Sequence, residues 1–202
     1  QVTNVWGCNE YDSDFGNNYE FSVAAPVGQP GWAGNAVSVI NRWTCDGGPC
    51  DQHRNPLESG FVFDTWARQR AAVAGLYFDV WEEGVTDYDN ADLWKQVDAQ
   101  VHFRFTGQQA FTTRYVDFFR RSGNDARYQV LIRTMDPFFA MPSVVAEDQC
   151  PVAELTVSPD GQYVRTEVEL YFTADGVEIR PAPGETFKGR FEDYVGPYAA
   201  CL

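Results

Sequence analysis

Residues 94–106 read Trp-Lys-Gln-Val-Asp-Ala-Gln-Val-His-Phe-Arg-Phe-Thr, the clearest two-faced stretch in this chain of 202 residues. Val97, Ala99, Val101, Phe103 and Phe105 fall on one side; Gln96, Asp98, Gln100, His102, Arg104 and Thr106 fall on the other. Successive side chains of a strand point to opposite faces, so this stretch predicts a strand with one face on a core and one carrying polar groups. The same alternation recurs along the chain. It predicts strands at 19–25, 36–43, 61–66, 72–81, 95–106, 111–119, 128–135, 152–158, 163–172 and 177–180. Asp160-Gly161 and Asp175-Gly176 sit between alternating runs and predict hairpin turns. Residues 152–180 are therefore expected to form a three-stranded antiparallel meander.

Helix signals are thin, with short helices expected only near 137–151 and 185–194. This pattern predicts an all-β fold: an antiparallel two-sheet β-sandwich of jelly-roll type, with a closed β-barrel as the alternative. Neither an internal repeat nor a low-complexity linker breaks the chain, so residues 1–202 read as one domain.

Composition narrows the partners. Formal net charge is −14, with two lysines beside thirteen arginines. Such a field repels nucleic acid and anionic membrane surfaces, and no apolar run is long enough to cross a bilayer. No nucleic-acid or membrane partner is expected, and oligomeric state is left open. Five cysteines are present. Cys45 and Cys50 bracket an Asp-Gly-Gly-Pro turn and suit a disulfide, and a Cys8–Cys201 bridge would pin the ends, with Cys150 competing for either. The odd count leaves a free thiol or an intermolecular link. Disulfides, and a Gln1 suited to cyclisation after signal removal, lead to the expectation of a secreted, extracellular protein. His53 beside Cys50 reads as a solvated loop histidine rather than a metal ligand.

Chemistry concentrates on three non-core strand faces. One carries Tyr77, Asp79 and Trp81, one Asp98, Gln100, His102 and Arg104, and one Arg165, Glu167, Glu169 and Tyr171. If the three strands share a sheet, that face combines rings, carboxylates, guanidinium groups and an imidazole. Aromatic rings cover the apolar faces of sugars while carboxylates, amides and arginines bond their hydroxyls, so the expected partner is a polysaccharide or glycan. An ordinary solvated sheet face with cross-strand pairs is the plainer alternative.

Two enzymatic readings follow. A glycoside hydrolase requires two carboxylates, available from Asp79, Asp98, Glu167 and Glu169. A polysaccharide lyase working by β-elimination requires a base and neutralisation of a uronate carboxylate. His102 would be that base, Gln100 and Arg104 the carboxylate partners, and Tyr171 the proton donor. Tyr77, Asp79, Trp81, Asp98, Arg165, Glu167 and Glu169 would bind substrate. The triplet Gln100-Val101-His102 resembles one motif of the jelly-roll alginate-lyase-like families, with Arg68 and Arg70 upstream and Tyr171-Phe172 downstream in matching order. The resemblance implies a jelly roll and a His-based elimination. The sequence departs from it at Val177-Glu178-Ile179, where the family's catalytic tyrosine would be sought.

No nucleophile elbow, phosphate loop, zincin motif or dinucleotide fingerprint is present. No cofactor or catalytic metal is expected. The acidic loops at 12–18 and 87–92 place oxygen ligands at alternating positions, which makes structural calcium an expectation there, against a plainer reading as polar turns. The alternatives are a non-enzymatic secreted interaction protein (effector, adhesin or filament subunit) and a small-ligand-binding barrel that holds an apolar ligand or isomerises it.

Overall fold

Among the residues that the computed structural model describes, regular structure is mostly extended. These are the backbone of 2–3, 9–10, 32–45, 48–55, 57–65, 73–82, 84–87 and 97–202, with side chains for 57–65, 75–82, 84–87 and 97–202 apart from Ser122. The chain divides into two compact units, residues 1–30 and 31–202. In the first, strands β1 (Val2–Thr3) and β2 (Asn9–Glu10) pair antiparallel.

The second unit holds β3 (Trp32–Cys45), β4 (Gly48–Asn55), β5 (Phe61–Phe63), β6 (Val73–Glu82), β7 (Ala99–Phe105), β8 (Thr112–Tyr115) and β9 (Asp117–Ser122). It continues with β10 (Asp125–Leu131), β11 (Thr156–Val157), β12 (Tyr163–Ala174), β13 (Val177–Ile179) and β14 (Phe187–Tyr194). Five strands form one sheet in the order β4-β3-β6-β10-β9; seven form the other, in the order β5-β14-β12-β7-β8 with β11 and β13 also paired to β12. Neither order closes on itself among the described residues. The barrel alternative is set aside, and the two-sheet, mostly antiparallel architecture stands.

Alternation builds the core. In β7, Ala99, Val101, Phe103 and Phe105 are buried while Gln100, His102 and Arg104 are half-exposed. In β12, Val164, Thr166, Val168, Leu170 and Phe172 point inward, and in β6 Leu76, Phe78 and Val80 do so. The apolar side chains among them meet in one cluster, where Phe78 of one sheet stacks on Phe172 of the other at 4.4 Å and 19°. Full burial of one such ring stabilises the fold by about 1.5–3 kcal/mol.

The meander is present but short. Asp175 and Gly176 take positive φ (46° and 81°), the backbone of a primed two-residue turn. Only three residues of β13 and two of β11 pair with β12. The long partners of β12 are distant in sequence: β14 over eight residue pairs and β7 over seven.

Several expectations need correction. Residues 187–194 form β14, not a helix; Phe187, Gly189 and Phe191 face the core in strand alternation. Residues 48–55 form β4 rather than a loop, and His53 lies in it opposite Asn41. The single run at 111–119 is two strands, β8 in one sheet and β9 in the other, divided at the buried Val116. Cys201 is bridged to Cys150 (S–S 2.04 Å), so it is not available to Cys8. Side chains of Cys8, Cys45 and Cys50, the strand at 19–25, Arg68 and Arg70 lie outside the described residues. Beside β5, the ring of Phe61 occupies the space where a Cβ on Gly189 would stand.

Candidate functional site

The outer face of the seven-stranded sheet is assembled by register. His102 of β7 lies between Thr113 of β8 and Tyr171 of β12; Gln100 lies between Tyr115 and Thr173; Arg104 faces Glu169, which in turn faces Lys188 of β14. Gln100, His102, Arg104, Glu169 and Tyr171 thus share one face, with Glu167 and Arg165 further along the same strand. Asp98 joins them at the start of the row, where both its carboxylate oxygens accept from Gln100 Nε2 at 3.0 and 2.8 Å.

Tyr77, Asp79 and Trp81 do not belong to this face. They sit on β6 in the five-stranded sheet, so the premise that three strands share a sheet holds for β7 and β12 alone. There Tyr77 is buried, its hydroxyl accepts from Gln129 Nε2 at 2.9 Å, and Asp79 is paired with Arg127.

His102 is held on every side. Its Nδ1 lies 2.9 Å from Thr113 Oγ1 and its Nε2 2.9 Å from Thr173 Oγ1. Neutral imidazole satisfies both hydroxyls, donating from one nitrogen and accepting at the other. The ring stacks on Tyr171 at 4.5 Å and 11°, and the guanidinium of Arg180 covers the Tyr171 ring at 3.6 Å. Burial, then the Arg180 charge, holds the imidazole below its ordinary range, with Glu178 pulling the other way. Glu178 itself forks onto Arg180 at 2.7 and 2.9 Å. His102 is therefore neutral at pH 7. As a base it would have to open one of its two hydroxyl contacts.

Arg104 donates from Nε and an Nη to one oxygen of Glu169 at 3.1 and 2.9 Å, and its guanidinium covers Phe111 at 4.6 Å. Lys188 donates to the other Glu169 oxygen. The hydrogen bonds from Lys188 and then Arg104 hold the Glu169 carboxyl below its usual range, which keeps it ionised and unsuited to giving up a proton. Beside this row opens a cleft of about 560 Å³ lined by Arg104, Thr106, Gln108, Gln109, Glu167, Glu169 and Lys188, with Gly107 at the turn. Among the described residues, the two carboxyls pushed above their ordinary range, Glu82 and Asp125, both lie on the five-stranded sheet.

The residues missed from sequence are mainly Lys188, Arg190 and Glu192, because β14 read as helical, and Arg180 with Glu178. Their signal was there: Lys188, Arg190, Glu192 and Tyr194 alternate with Phe187, Gly189 and Phe191. Among the described residues, no three His, Cys, Asp or Glu side chains gather as a metal site. Of the calcium loops, 12–18 and 88–92 lie outside the described residues; Asp87 accepts from Gly84 N at 2.7 Å. No helix among the described residues is long and apolar enough to cross a membrane. Comparison of the chain with protein-family models, with curated proteins and with solved structures finds no match.

Proposed function

We propose that this chain is a secreted glycan-binding β-sandwich whose ligand lies along the outer face of the seven-stranded sheet. The observation that carries this reading is the open cleft beside the Arg104–Glu169–Lys188 row. Arg104 and Lys188 both pair with Glu169, and Glu167 adds a second carboxylate, so the cleft offers fixed donors and acceptors to hydroxyl groups rather than one net sign. Phe111 and Tyr171 stand next to it as ring surfaces. The Cys150–Cys201 bridge suits an oxidising compartment. For the fold we propose the jelly-roll type, because the chain passes repeatedly between the sheets, as at β5 to β6, β6 to β7 and β8 to β9.

Titration with a panel of oligosaccharides tests the reading by calorimetry. Binding is expected for the wild-type chain and a clear loss for Glu169→Gln and for Gln108→Ala. A panel without any binder, or binding indifferent to both substitutions, sinks it. The enzymatic form of the reading is β-elimination, with His102 as base, Tyr171 as donor, and Gln100 and Arg104 at a uronate carboxylate. What favours it is the neutral His102 stacked on Tyr171. Ultraviolet absorbance of unsaturated uronate ends, appearing with wild type and absent with His102→Ala, is its expected result.

A further inference from the structure

Further along the same face, β12 and β14 place Tyr163 opposite Tyr194, Arg165 opposite Glu192, and Glu167 opposite Arg190. The two tyrosine rings stack at 5.6 Å and 27°. The Nε atoms of Arg165 and Arg190 both lie 2.8 Å from the same oxygen, Glu192 Oε1. Glu192 is only 7% exposed, while the arginine side chains are 27% and 35% exposed. One buried carboxylate thus anchors the inner edge of two guanidinium groups whose outer parts reach solvent. Apart from these ion pairs, neither guanidinium has a hydrogen bond or ion pair among the described residues. Each retains two terminal nitrogens in the planar fork that matches an oxyanion.

From this geometry we infer that Arg165 and Arg190 form an oxyanion subsite, which binds a carboxylate or sulfate carried by the glycan, beside the Tyr163–Tyr194 rings. The inference rests on the glycan reading above and specifies the ligand's substituent. Arg165 stands four residues along β12 from Glu169, about 13 Å at strand spacing. An extended saccharide lying in the cleft would therefore present its charged group one or more sugars away. The case rests on two partly exposed guanidinium groups held by one buried carboxylate, not on net charge. Among the described residues Glu167 faces Arg190 without an ion pair; the Asp160 carboxyl, held down first by the Ser158 hydroxyl, also feels the Arg165 charge, and Lys188 is taken up by Glu169. The exposed Glu167 carboxylate should oppose an incoming anion.

The experiment is calorimetric titration with matched oligosaccharides: a neutral one, its sulfated form and its uronate-bearing form. Wild type is expected to favour an anionic member over the neutral one; which member distinguishes a tetrahedral sulfate from a planar carboxylate. Arg165→Gln and Arg190→Gln should each weaken anionic binding about tenfold, the scale of one charged hydrogen-bonded contact, and so shrink the preference for the anionic member over the neutral one. Arg165→Lys and Arg190→Lys keep a charge on Glu192 but lose the fork, so they should also lose the preference while remaining folded. Glu167→Gln should strengthen anionic binding, an effect that a merely structural role would not produce. Neutral binding without any anionic preference, or a preference that survives both glutamine variants, overturns the inference and leaves the glycan reading standing. No binding by any of the three removes both.

Discussion

Each sheet carries a cross-strand arginine–carboxylate pair on its outer face, and burial separates the two. Arg127 forks onto both oxygens of Asp79 at 2.7 Å, with side chains 9% and 12% exposed. Arg104 reaches one oxygen of Glu169 at 2.9 Å, with exposures of 36% and 33%. In water an ion pair exchanges one set of hydrogen bonds for another and gains little. Away from water each partner depends on the other, since a lone buried charge is costly. The Asp79–Arg127 pair is thus committed to the fold, whereas the Arg104–Glu169 pair can give its donors and acceptors to a ligand without loss of structure. That contrast separates a frame from the proposed site on one sandwich.

Breaking the buried pair from one side should have the largest effect. Arg127→Met leaves Asp79 charged and unpaired and is expected to cost about 3–5 kcal/mol, read from denaturant unfolding. Replacing both partners together, Arg127→Met with Asp79→Leu, should recover most of that loss, because no isolated charge remains. If the double variant is as unstable as the single one, the pair is not what holds that face. Glu82, further along the same strand as Asp79, sharpens the contrast. Burial, then Asp175, pushes its carboxyl up. Its protonated form is favoured by folding, so that stabilisation is present below the ordinary carboxyl range and lost as pH rises through the raised value. Glu82→Gln should therefore raise the melting temperature at neutral pH, with the gain vanishing in acid. The smallest change in stability belongs to the exposed pair: Arg104→Gln should cost only about 0–1 kcal/mol, while glycan affinity falls. A large stability loss there would erase the distinction between the two sheets.

Strand periodicity carried the fold as far as faces but not to neighbours. The inward set of β7 and the 76, 78 and 80 set of β6 follow from alternation, since a period of two is local. Which sheet each strand joins is not local. Tyr77, Asp79 and Trp81 have the same outward parity as His102 yet stand on the opposite sheet, because parity is blind to pairing partner. The Asp-Gly turns were read correctly, but they join only two or three residues on each side. The eight pairs of β12 with β14 have no turn to announce them. β14 was missed because Gly189 interrupts its apolar face, so its inward side reads Phe-Gly-Phe. At the site, Gln100, His102, Arg104 and Tyr171 were brought together as expected from β7 and β12. Thr113, Thr173 and Arg180, which decide how His102 is held, are ordinary residues whose importance arises only from register.

The missing side chain at Gly189 has a consequence for how β5 finds its place. β5 is three residues long and runs parallel to β14, so no hairpin delivers it there. Its Phe61 ring fills the vacancy over Gly189 and meets Phe191 edge-on at 5.8 Å. A gap in one strand and a ring on another act as lock and key, giving this short edge strand an address: only where β14 lacks a side chain can Phe61 settle.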